Sequence, residues 1–121
     1  MIGPLMYLTA SRPNIVFAKG LCARYQADPK VSHLTTVKQI LRYLKGSNTF
    51  GLWYHVCPAI NLQVFTDADH AGCRLDRKIT SGGCQCLGGR LVSWSSRKQN
   101  YVALSTIEAE YVAAASCCSQ V

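Results

Sequence analysis

The sequence predicts an α/β chain of the α+β kind, a helical segment over residues 1–50 followed over 51–121 by strands and one closing helix. Three observations predict it. Apolar residues recur at helical spacing as far as Gly46, short runs rich in aromatic and β-branched residues follow, and an alanine-rich stretch, "ALSTIEAEYVAAASCCSQV", ends the chain.

The first helix is expected in "SRPNIVFAKGLCARYQ", where a proline stands near the start and Ile15, Ala18, Cys22 and Tyr25 fall along one face. The second is expected in "DPKVSHLTTVKQILRYLKG", with Asp28 as N-cap, Pro29 at the first helical position and Gly46 just past the last basic residue. Leu34, Val37, Ile40, Leu41 and Leu44 form its apolar stripe. Lys38, Arg42 and Lys45 form a second, basic stripe at spacings of four and three. After Gly46, "FGLWYHV", "INLQVFTDA", "ITSGGCQCLGG" and "RLVSWSS" read as strands, and "LGGR" as a hairpin turn whose glycines permit positive φ. The last helix opens on Ser105, three residues before Glu108. That is the spacing of a capping box.

A chain of 121 residues suffices for one compact domain, whereas two would each be small. Lys and Arg number 13 against 6 acids, and a net charge of +7 favours an anionic partner such as nucleic acid. A membrane surface is also compatible with that charge, but no apolar run reaches the roughly 18 residues of a spanning helix, and no membrane partner is expected. The start "MIGPLMYLTASR" lacks the charged region and long apolar core of a secretion signal. The chain therefore reads as intracellular, cytoplasmic or nuclear. Its seven cysteines lack a paired C-x-x-C spacing, which argues against a disulfide framework. A zinc site from His70, Cys73, Cys84 and Cys86 is disfavoured because C-x-C is tighter than the usual structural knuckle.

The acids are unevenly placed: Asp67, Asp69, Asp76, Glu108 and Glu110 all lie in the second half. Carboxylates gathered at a strand end and on a packed helix would suit a hard cation, since Mg²⁺ is held by one or two carboxylates plus substrate phosphate oxygens. Helix geometry separates the two glutamates. Glu108 belongs to the cap, whereas Glu110 shares a face with Ala113, Ala114 and Cys117, whose small side chains let a helix approach a sheet closely. Gln63, Phe65, Asp67 and Asp69 share one side of the strand, so periodicity alone does not choose between the two aspartates.

Together, "FTDADHAG", "DRKITSGGCQCLGGRLVSWSSRKQ" and "VALSTIEAEYVAA" resemble the ribonuclease H domain of copia-type retrotransposon Pol polyproteins. Ahead of them, "LMYLTASRPNIVFAKGL" and "HLTTVKQILRYLKG" resemble the end of the reverse transcriptase. The resemblance covers nearly the whole chain. It implies a reverse transcriptase tail (thumb or connection region) over 1–50 and, over 51–121, a truncated ribonuclease H-like mixed sheet. It also implies dependence on weakly bound Mg²⁺ or Mn²⁺, cleavage of RNA in an RNA–DNA hybrid, and the rest of the Pol polyprotein as a partner. By the same resemblance Asp67 and Glu110 are catalytic and metal-binding, and Asp69 is a further metal ligand of the D-A-D pattern. The family carries another metal-binding aspartate on a following strand, so this stretch alone is expected to be inactive. Ile79 stands where the family pattern suggests serine, Ile107 replaces a small or polar residue, and Lys19 replaces an apolar or small one.

The rival expectation is a non-catalytic nucleic-acid-binding module that meets phosphates through Lys38, Arg42, Lys45, Arg77, Lys78, Arg97 and Lys98. Metal dependence separates the two, because backbone binding by bases survives chelation and two-metal hydrolysis does not. A secreted, host-directed role finds no export signal in the sequence.

Overall fold

A computed structural model of the chain describes residues 1–56, 59–69 and 78–120. They form two compact units, Met1–Trp53 and Tyr54–Val121. Helices make up the first unit and a sheet with one helix the second, which is the expected α+β composition.

In the first unit α1 (Ile2–Leu8), a 3₁₀ turn (Pro13–Ile15), α2 (Val16–Arg24) and α3 (Val31–Gly46) bury Leu5, Ile15, Cys22, Val37 and Ile40 together. Ile2, Ala18 and Leu44 pack around them. The face expected for α2 is therefore the buried one. Tyr25, just past α2, stacks on His33 with ring centroids 4.6 Å apart. Helix α1 is absent from the sequence expectation; its Gly3 and Pro4 fall in the first turn, where proline is tolerated. Helix α3 begins two residues later than expected. Lys30 is its N-cap instead of Asp28, and the Lys30 amide donates to His33 Nδ1 at 3.0 Å, so an imidazole satisfies the group an aspartate was expected to serve. Of the expected α3 stripe, Val37 and Ile40 are buried, while Leu34 and Leu41 are nearly half exposed.

In the second unit β1 (Leu62–Asp69), β2 (Thr80–Leu87) and β3 (Arg90–Lys98) lie in the order β1-β2-β3 with every pair antiparallel. The mixed sheet implied by the resemblance is thus not seen among the described strands. Gly88 and Gly89, at φ of 57° and 74°, make the tight turn between β2 and β3, as the L-G-G-R signature predicts. A bulge opposite Gln85 and Cys86 leaves Val92 as the extra residue. The "FGLWYHV" run is not a strand. It is held instead by side chains: Tyr54 Oη donates to the Leu91 carbonyl at 2.7 Å, and Arg90 Nη1 donates to the His55 carbonyl at 2.9 Å.

Helix α4 (Thr106–Cys118) packs on β1 and β2 through Ala109, Ala113 and Cys117, a row at every fourth residue. Cross-strand pairing fixes which sheet face it covers. A side chain added at Gly83 would sit 3.7 Å from Cys117 Sγ, and Thr66, Gly83 and Ser95 are register partners, so their face is the covered one. Ile79, 1% exposed, anchors the core beneath the start of α4 with Ala103, Ala109 and Ala68.

Candidate functional site

Asp67 and Asp69 are both exposed on β1 and sit on the sheet face opposite α4, because Thr66 and Ala68 take the covered face. Asp67 Oδ1 accepts the Ala68 amide at 2.8 Å. Glu110 is exposed on α4, one residue beyond Ala109, which is fully buried. The flank of α4 carrying Ser116 and Gln120 faces Ser93 and Ser95 of β3 across a small polar cleft. Glu110 occupies the other flank, on the β1 side.

Packing of α4 on β1 agrees with the sequence expectation, but strand alternation carries the aspartates to the face the helix does not cover. Asp67 therefore does not share the sheet face on which Glu110's helix packs. Among the described residues, no three His, Cys, Asp or Glu side chains converge on one point. Mg²⁺ is commonly held by one or two hard carboxylates completed by substrate phosphate oxygens, whereas Asp67 and Glu110 are borne on different faces of the unit. They do not form a closed protein cage.

Glu108 is separated from this set by its bonding. Its amide donates to Ser105 Oγ at 3.1 Å, and its own Oε2 accepts the Leu104 amide at 2.7 Å. The return contact falls one residue before the N-cap, where an ideal capping box would use the N-cap amide itself. Cys84 and Cys86 share the uncovered face two residues apart on β2, and the Cys84 thiol is pushed above its usual range by burial, then by Cys86 and Cys117. His70 and Cys73, which would complete a zinc set with them, lie outside the described residues, as does Asp76.

The basic candidates divide between the units. Lys38, Arg42 and Lys45 are exposed along α3. On β3, Arg97 pairs with Ser81 and shares the α4 side, whereas Lys98 pairs with Thr80 and shares the opposite one. Lys78 is half-buried just before β2, and Arg77 lies outside the described residues. Among the described residues only the α3 set forms a continuous stripe. Sequence reasoning missed Gln99, which is 7% exposed and bonded to both sheet and helix. A polar residue at a strand end carries no signal of burial.

Comparison with known proteins finds a 42% identical stretch over 114 residues in the retrovirus-related Pol polyprotein from transposon TNT 1-94 of Nicotiana tabacum, covering 93% of this chain and 8% of that protein. The secreted RxLR effector protein 161 of Plasmopara viticola is 40% identical over 113 residues, 93% of this chain and 80% of the effector. Over nearly its whole length the chain is similar to retrotransposon Pol polyproteins. A third relative, the uncharacterized mitochondrial protein AtMg00810 of Arabidopsis thaliana, is 38% identical over 115 residues, 95% of this chain. This chain spans about half of that protein, at 48% of its length. No family model and no solved structure matches it.

Proposed function

We propose that this chain corresponds to the stretch of a copia-type Pol polyprotein that joins the end of the reverse transcriptase to the first half of the ribonuclease H domain. In the parent polyprotein Asp67, Glu110 and Asp69 would hold Mg²⁺ or Mn²⁺, which when bound would supply the activation of water needed to cut RNA in an RNA–DNA hybrid. The observation that carries this reading is the 42% identity over 114 residues to a Pol polyprotein. Asp67, Asp69 and Glu110 are all exposed on two elements that pack together, although the aspartates lie on the sheet face that α4 does not cover. By itself the chain binds metal weakly and hydrolyses little.

A second reading, a nucleic-acid-binding module without catalysis, is favoured by the exposed Lys38, Arg42 and Lys45 stripe of α3 and by the net charge of +7. One titration separates the readings. Binding of a labelled RNA–DNA hybrid that persists undiminished in excess EDTA supports the module; binding strengthened by Mn²⁺ and unresponsive to it in Asp67→Asn and Glu110→Gln variants supports the metal site.

A further inference from the structure

Helix α4 meets the sheet through small side chains, Ala109, Ala113 and Cys117 over Gly83, and such a smooth contact does little to resist sliding or rotation of the helix. Something directional has to set its register. Gln99, directly after β3, is 7% exposed and reaches from sheet to helix. Its amide donates to the Ile79 carbonyl at 2.8 Å, while its side-chain Nε2 donates to Ser81 Oγ at 2.9 Å and to the Ala109 carbonyl at 3.0 Å. The orientation of the side-chain amide is decided by Ala109, whose carbonyl can only accept. Both Nε2 hydrogens are thereby used, and Oε1 is left buried with no hydrogen-bond partner among the described residues. A buried acceptor without a donor is costly, so an arrangement that leaves one calls for an explanation.

We infer that Gln99 is a positioning residue: it fixes the rotation and height of α4 at Ala109, and so sets where Glu110 stands relative to the β1 aspartates. This rests on the proposed metal role of Asp67 and Glu110. The bonded carbonyl belongs to the residue immediately before Glu110, so a turn of the helix about its axis there moves the carboxylate directly. A shift of about 1 Å is enough to matter at a reacting site.

The test measures Mn²⁺ affinity on the full chain, by the paramagnetic signal of free ion, at a temperature where circular dichroism shows each variant folded. Gln99→Met keeps the length of the side chain and removes both donors. Tyr54→Phe, which loses only the bond to Leu91, is the stability control. The expected result is about a tenfold loss of Mn²⁺ affinity in Gln99→Met, parent-like affinity in Tyr54→Phe, and loss of binding in Asp67→Asn and Glu110→Gln. Parent-like affinity in folded Gln99→Met overturns the inference. If Gln99→Met does not fold, Ser81→Ala decides: freeing one end of the amide is expected to lower affinity two- to threefold, and no change overturns it. If Asp67→Asn and Glu110→Gln leave Mn²⁺ binding intact, the metal site itself is refuted, an outcome distinct from a failure of Gln99 alone.

Discussion

At the scale of single residues the two glutamates of α4 show how two positions of helical phase separate structure from chemistry. Glu108 is bonded to the Leu104 amide and served by Ser105, so Glu108→Ala is expected to lower stability by about 0.5 to 2 kcal/mol, in the range of other helix caps. Glu110→Ala is expected to leave the melting midpoint near that of the parent and to weaken Mn²⁺ binding. Denaturant melts paired with metal titrations check the split, and the reverse pattern would sink it. Ile79 carries a second lesson. Where the family pattern suggests serine, this chain has the most deeply buried large side chain among its described residues, so Ile79→Ser is expected to cost about 2 to 5 kcal/mol by opening a cavity and burying a hydroxyl. A loss under about 1 kcal/mol would show that the core tolerates the family's residue. Burial sorts the thiols likewise: Cys22 and Cys84 are held above the ordinary thiol range, Cys22 by burial alone, while Cys118 is exposed. With the folded chain near neutral pH, an alkylating reagent should, among these described cysteines, label Cys118 first and Cys22 last, which peptide mass mapping checks.

At the scale of elements, what the sequence reveals depends on whether the signal is local. The β2–β3 hairpin was legible because its turn chemistry resides in Gly88 and Gly89 themselves, and α4 because Ser105 and Glu108 satisfy each other's neighbourhood over three residues. Replacing Gly89, at φ of 74°, by alanine should destabilise the chain by about 1 to 2 kcal/mol, since a Cβ makes that conformation unfavourable although nothing crowds it. A denaturant midpoint unmoved by Gly89→Ala would contradict the turn argument. The misses came from interactions between distant residues. "FGLWYHV" has strand composition but finds no ladder partner, and is tied down by Tyr54 and by Arg90 from 35 residues away. The N-cap of α3 moved from Asp28 to Lys30 because the His33 ring was in place to accept. The candidate site divides in the same way: the carboxylates could be picked out from the sequence, whereas the face each occupies follows from the register of β1 on β2. Gln99 was invisible because its partners, Ser81 and Ala109, come from two other elements.

At the scale of the whole molecule, charge and metal chemistry make separate demands. The net charge of +7 and the α3 stripe predict hybrid binding that weakens steeply with salt, each phosphate contact contributing a slope of about 0.9 in log K against log salt, and slightly less on single strands. Cleavage needs more than attraction. Hydrolysis at a two-metal site requires carboxylates on both ions, one activating water and the other stabilising the leaving oxygen. Among the described residues, Asp67 and Asp69 face one side of the sheet, Glu110 flanks the helix on the other, and no three ligating groups converge. On the proposed reading that set would hold at most one ion, with help from substrate phosphates, and a second ion would be poorly held. We therefore expect the 121-residue chain, incubated with an RNA–DNA hybrid and Mg²⁺ or Mn²⁺, to give no cleavage above an Asp67→Asn control, even where hybrid binding is readily measured. The two measurements have to be made on one preparation, so that absent cleavage is not confused with absent binding. Metal-dependent cleavage that disappears in the Asp67→Asn variant would mean that the carboxylates come together after all, and that two ions find ligands among them.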